Sequence, residues 1–137
     1  GRCIYLLNHT LIEKLRDLQE KIVSSLNLPY RVIAVAAGDL GAAAAKKYDL
    51  EVWLPSEGAY REVTSCSNYT DYSARRMSSR YKDDSGSGLV HTLNGTACAI
   101  SRTLVFLMEN CQMEDGSIEV PEVLQKYVGY ERIDGPK

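Results

Sequence analysis

Apolar residues recur along this chain with two periods, and the switch between them divides it into helices and strands. Leu11, Leu15, Leu18, Ile22 and Leu26 fall on one face of a helix, with Lys14, Arg16, Asp17, Glu20 and Lys21 largely off it. Thr10-Leu11-Ile12-Glu13 has the form of a capping box and sets the predicted start, while Pro29 forbids continuation beyond about Asn27. Tyr30 to Ala36 is a short, mostly apolar run and predicts a buried strand. Gly38-Asp39-Leu40-Gly41 predicts a turn, and Ala42 to Lys47 a single helical turn. From Tyr48 to Pro55 the period becomes two. Tyr48, Leu50, Val52 and Leu54 face one way, and Asp49, Glu51 and Trp53 the other. Ser56 to Ala59 then suits a hairpin into a second, antiparallel strand over Tyr60 to Ser67.

Further on, Asp71 is placed to cap a helix running to about Tyr81, made basic by Arg75, Arg76 and Arg80. A solvated, salt-bridged face accounts for those charges. Lys82 to Gly88 reads as a loop tip, and Leu89, Val90 and Leu93 as a short strand broken by Asn94 and Gly95. Ala97, Ile100, Leu104, Leu107, Met108 and Cys111 then form a helical stripe, widened by Ala99, Val105 and Phe106. A helix apolar around most of its circumference is expected to be buried on most sides. Glu114 to Ser117 turns, Ile118 to Val120 predicts a strand, and Pro121 opens a last helix carrying Val123, Leu124 and Tyr127.

Composition narrows the classes. With 137 residues, 45% of them hydrophobic, the chain has a core's worth of apolar side chains for one domain or one piece of a larger one. A net charge of -2 offers nucleic acid no global attraction, so any basic patch has to be local. The 4 cysteines form no Cys-x-x-Cys pair, and Cys98 and Cys111 are expected inside the apolar helix as small hydrophobes, which points to a reducing interior. Only 2 histidines are present, too few for the common zinc clusters. No apolar run is long enough to span a membrane, and Gly1 to Leu7 lacks a signal-peptide pattern. Gly38 and Gly41 lack the Lys-Ser/Thr ending of a phosphate loop.

Two stretches carry candidate chemistry. Arg61 to Asn68 has strand-compatible residues that are small, polar and rich in hydroxyls, where a core strand would carry Val, Ile or Leu. Either it is a ligand-binding floor or it is an edge strand facing solvent. Arg102 is the sole full charge between His91 and Glu109, inside the apolar helix. A buried guanidinium cannot shed its proton and needs an anion. A carboxylate from a neighbouring element is the commoner partner; a phosphate, which fits the bidentate fork, is the alternative.

Several segments together resemble the class II aminoacyl-tRNA synthetases, in particular the seryl-tRNA synthetases. They are Leu28-Pro29-Tyr30-Arg31, Tyr48 to Pro55, Tyr60 to Asn68, Ala74-Arg75-Arg76, His91 to Arg102 and Val120 to Leu124. The resemblance runs from about Leu11 to Ile133. Residues 1–10 stay unassigned, and 11–137 look like the C-terminal part of a catalytic domain, with the family's motif 3 at about 89–112. The resemblance implies an α+β fold, an antiparallel sheet flanked by helices. It implies activation of serine with ATP and Mg2+, then transfer to tRNA(Ser), in a cytoplasmic or organellar-matrix enzyme that is homodimeric at full length.

Matched position by position, the resemblance gives Arg102 the role of ATP phosphate ligand and catalytic residue. Glu62, Val63, Thr64 and Ser65 fall on the ATP-binding strand, with Glu62 and Ser65 as Mg2+ ligands. Thr96 and Asn94 fall where serine is bound. Ser73 departs from the family, which usually has Gln there. The odd spacing of Glu62 and Ser65 puts them on opposite faces of an ideal strand, so a shared metal requires a bulge or strong twist. No segment resembles motif 1, motif 2 or the tRNA-binding arm, so the chain alone is expected not to make seryl-tRNA. Other acceptors are compatible with the same core: a carrier protein, or no acceptor in a non-catalytic paralogue. Asn94 and Thr96 favour serine and tRNA.

Overall fold

The computed structural model describes the backbone of residues 2–135 and the side chains of residues 9–135. Helix α1 spans Arg2–Ser25, so Thr10 lies inside it and Thr10-Leu11-Ile12-Glu13 is not its start. Glu13 turns to the sheet instead, accepting from Lys46 Nζ at 2.7 Å and Tyr48 Oη at 2.8 Å. The buried row of α1 is Ile12, Gln19 and Val23, continued by Leu26 just past its end and about one position round from the predicted stripe; Leu11 and Leu18 are 41% and 56% exposed. An apolar-only pattern misphases the helix because a glutamine occupies the inward row. After α1, Asn27 takes the left-handed conformation, φ 56°, and Leu28 is buried before Pro29.

Strand β1 (Tyr30–Ala34), β2 (Lys46–Leu54) and β3 (Ala59–Thr70) follow, then α2 (Tyr72–Met77) and strands β4 (Arg80–Asp83), β5 (Gly86–Leu89) and β6 (Thr92–Gly95). After them come α3 (Ile100–Asn110), β7 (Ile118–Glu119), α4 (Glu122–Val128) and β8 (Arg132–Ile133). The main sheet is antiparallel with order β1-β2-β3-β6. The hairpin predicted between β2 and β3 forms, pairing Trp53 with Tyr60 and Leu54 with Ala59. The helical turn expected over Ala42 to Lys47 does not: Lys46 and Lys47 already pair with Asn68 and Ser67. Helix α2 stops early, closed by Ser78 in the left-handed conformation, and Arg80 and Tyr81 pair with Leu89 and Gly88 in a hairpin. A Cβ on Gly88 would lie 2.9 Å from the Tyr81 ring, so the tyrosine side chain would have to turn aside. Asn94 and Gly95 do not break a strand; both belong to β6.

Helices α1 and α3 share one face of the sheet. Val23, Leu26, Leu28, Phe106 and Leu107 pack with Leu50, Val52, Leu54 and Val63 as a single core. Burying each such side chain stabilises the fold by about 1.5–3 kcal/mol. Helix α3 is not buried on most sides. Thr103, Phe106 and Leu107 face the core, while Ile100 is 72%, Leu104 52% and Met108 54% exposed. Cys98 precedes this helix and is exposed, Cys111 caps it, and Cys66, Cys98 and Cys111 are all free thiols. Pro121 precedes α4 as its cap residue. The β7–β8 ribbon is tied by Asp115, whose carboxyl is held down at about 2 by Ser117 and Arg132.

Candidate functional site

Pairing along β3 changes phase at one residue. Leu50 opposes Thr64 and Glu51 opposes Glu62, which leaves Val63 as an extra residue, a β-bulge. Directly opposed residues in an antiparallel pair face the same side. Glu62 therefore shares a face with Glu51, and Ser65 with Asp49. These are alternate residues of one regular strand, so Glu62 and Ser65 lie on the same face despite their odd spacing. Asn94 opposes Ser67, the residue after next on that face, so it joins them. This outer face is the one that α1 and α3 leave uncovered.

Lys47 and Asp49 complete the charge pattern. Lys47 Nζ lies 2.8 Å from Asp49 Oδ1 and 4.0 Å from Glu62 Oε2. The hydrogen bond to Asp49 holds the Lys47 ammonium above the usual lysine range. Across the sheet, Arg31 pairs with Glu51 at 2.7 Å and stacks 4.5 Å above the Tyr60 ring. Trp53 meets Tyr60 edge-on, with ring centroids 5.3 Å apart.

Arg102 reaches this region from α3. Strand β6 pairs with β3 only over Cys66 to Thr70, so along Ala59 to Ser65 no strand among the described residues lies beside the far edge of β3. Arg102 Nη1 approaches that edge, donating to the Glu62 carbonyl at 3.3 Å and lying 3.8 Å from the Glu62 carboxylate. Its side chain is 59% exposed. The buried guanidinium expected from the apolar helix is therefore corrected: the side chain projects from the helix side facing solvent. A carboxylate partner is present but loose, and most of the guanidinium fork stays open.

Val63 and Thr64 point the other way. Val63 is in the core, and the buried Thr64 hydroxyl donates to the Thr96 carbonyl. What these two residues present outward is backbone. Thr96 N–H donates to Ser65 O at 3.2 Å, and the Thr96 side chain is exposed. Neither Thr96 nor Asn94 caps α3, whose cap residue is Ala99. Asp71 precedes α2 without a capping hydrogen bond and instead pairs with Arg75 at 2.5 Å.

Three of the six predicted segments thus meet in space: Tyr60 to Asn68 with Glu62 and Ser65, its partner Tyr48 to Pro55, and His91 to Arg102, which supplies Asn94, the Thr96 turn and Arg102. Residues 3–111 match the family described as tRNA synthetase class II core domain (G, H, P, S and T). The chain belongs to the class II aminoacyl-tRNA synthetases. This synthetase core is 50% identical over 129 residues to a serine–tRNA ligase of Chromobacterium violaceum, covering 93% of the chain and 30% of that protein. The seryl-tRNA synthetase of Pyrococcus horikoshii complexed with ATP superposes with a TM-score of 0.91 at 45% identity, over 95% of the chain and 30% of that structure. The cytoplasmic serine–tRNA ligase of Naegleria fowleri in complex with AMP gives 0.86 at 42%, over 95% and 31%. The synthetase core thus spans about three tenths of these relatives' length.

Sequence reasoning missed Gln19, Lys47 and Asp49. For the last two a signal existed: the alternation along β2 puts Asp49 on the outer face with Glu51 and Trp53, though without a role, and Lys47 continues that alternation. Gln19 carried one as well, lying a helical repeat from both Ile12 and Val23.

Proposed function

We propose that residues 11–137 are the C-terminal part of a serine–tRNA ligase catalytic domain, supplying part of the site that activates serine with ATP. The observation that carries this reading is the bulge at Val63, which lets Glu62 and Ser65 face one side next to Arg102. Glu62 and Ser65 offer hard oxygen donors of the type Mg2+ takes, completed by nucleotide phosphates and water. Mg2+ bound there would offset charge on the phosphates. Arg102 holds a phosphate with its open fork and is the residue that stabilises charge gained in the reaction. Backbone at Val63 and Thr64 borders the nucleotide, while Thr96 and Asn94 orient serine through its hydroxyl and polar ends. Nucleotide complexes of the two structural relatives support the ATP assignment.

At full length we infer a protein that acts on tRNA(Ser), forms a homodimer and works in the cytoplasm; of the structural relatives, the Naegleria fowleri ligase is described as cytoplasmic. No helix among the described residues is long and apolar enough to cross a membrane. In a full-length ligase carrying these 137 residues, Glu62→Gln is expected to raise the magnesium concentration needed for serine-dependent ATP–pyrophosphate exchange. An unchanged magnesium titration overturns the assignment of Glu62. The chain alone is expected to give no exchange, since positioning supplies about 7–11 kcal/mol of such barriers and much of the constellation is not in these residues.

A further inference from the structure

Gln19 is a buried amide with no counterpart in the chemistry described so far. It is 3% exposed, in the inward row of α1 between Ile12 and Val23. Its Nε2 lies 2.8 Å from Ser65 O, 2.7 Å from Thr96 O and 3.3 Å from Thr64 Oγ1. Two of these acceptors are backbone carbonyls, which cannot donate, so the amide must present its nitrogen to them. The Thr64 hydroxyl gives its proton to the Thr96 carbonyl and so turns a lone pair toward Gln19.

The other end of the amide is revealing. Gln19 Oε1 is buried and has no hydrogen-bond partner among the described residues. A buried acceptor left unpaired is unfavourable, and a leucine or methionine in this row would avoid that. Packing alone therefore does not call for glutamine. What the amide does is join two carbonyls, one on β3 and one on the turn after β6. Their residues are Ser65 and Thr96, assigned above to metal and serine. Gly95 serves the same closeness: a Cβ there would lie 3.2 Å from the Cys66 Cβ and 3.6 Å from Gln19 Nε2.

We propose that Gln19 is a positioning residue for serine recognition, setting the place of Thr96 relative to Ser65 from behind the sheet. This rests on the ligase reading for its consequence, though not for its geometry. Gln19 touches no substrate; it holds the backbone from which the Thr96 side chain projects. A methionine fills the same row without the tether, whereas a glutamate turns an acceptor toward two carbonyls.

The test has two parts. On the 137-residue chain, hydrogen exchange at the Thr96 amide is compared between wild type and Gln19→Met. Faster exchange at Thr96, with the core strand amides unchanged, is expected; equal exchange overturns the tether whatever the enzyme does. In a full-length ligase carrying this segment, Gln19→Met is expected to raise the serine KM roughly tenfold, short of the about hundredfold loss that a displacement of about 1 Å can bring. The ATP KM and thermal midpoint are expected to stay near wild type. Gln19→Glu is expected to be worse in serine KM. A uniform loss in all parameters, or a fall in stability with an unmoved serine KM, makes Gln19 a structural residue and overturns the proposal. Absence of serine-dependent exchange in the wild-type ligase overturns the functional reading itself, while the exchange result on the chain stands.

Discussion

Arg102 and Glu62 approach at 3.8 Å with both side chains well exposed. Exposed pairs of this kind contribute about 0–1 kcal/mol, so their contact does little for the fold. That leaves the guanidinium able to exchange a loose carboxylate for a phosphate. Arg102→Lys is expected to change unfolding free energy by less than about 0.5 kcal/mol. In a full-length ligase the same variant is expected to lose most serine-dependent exchange, because lysine keeps the charge and loses the fork. Thermal denaturation and pyrophosphate exchange on one preparation check both halves. A near-normal exchange rate would return Arg102 to a structural role. Its isolation among apolar residues was legible in the chain; its exposure was not, because residue types show what a helix is able to bury and not what lies against it.

Strand β3 shows the same limit at the level of elements. Its hydroxyl-rich run was visible as unusual, and β2 was readable almost residue by residue from its alternation. The bulge at Val63 leaves no local mark, since Arg61 to Asn68 carries no glycine; only the resemblance, which sets Glu62 and Ser65 on one metal, called for a bulge or strong twist there. A strict period of two consequently separates Glu62 from Ser65, and only the register with β2 reunites them. Helix α1 was legible as a helix and misphased because Gln19 is polar and inward. Strand β6 was hidden by Asn94 and Gly95, which local rules treat as breakers. Gly95 is there for proximity, and Gly95→Ala makes the point measurable. Its added methyl meets the Cys66 Cβ at 3.2 Å, an atom fixed to the β3 backbone. The expected loss is about 1–3 kcal/mol by denaturant titration, the usual range for overpacking. A loss near zero would mean that β6 moves away freely.

Over the whole molecule, the 45% hydrophobic content announced a core but not its sidedness. Both long helices cover one face of the sheet, while Glu62, Ser65 and Asn94 lie on the other and Arg102 reaches the edge of β3 from α3. The resemblance of separated segments foretold this convergence better than any single motif did, because a shared site constrains spacing across the entire chain. The outer face also holds Trp53, half-buried beside Tyr60 and the only tryptophan present. Its indole is therefore a built-in optical probe of that surface. Folded protein excited at the tryptophan band is expected to emit between the limits of a buried and a hydrated indole, with a red shift on unfolding. Trp53→Phe should erase the signal, and a spectrum already at the hydrated limit in the folded chain would contradict the packing against Tyr60. The surface that is hardest to read in the sequence is the one that can be followed in solution without a label.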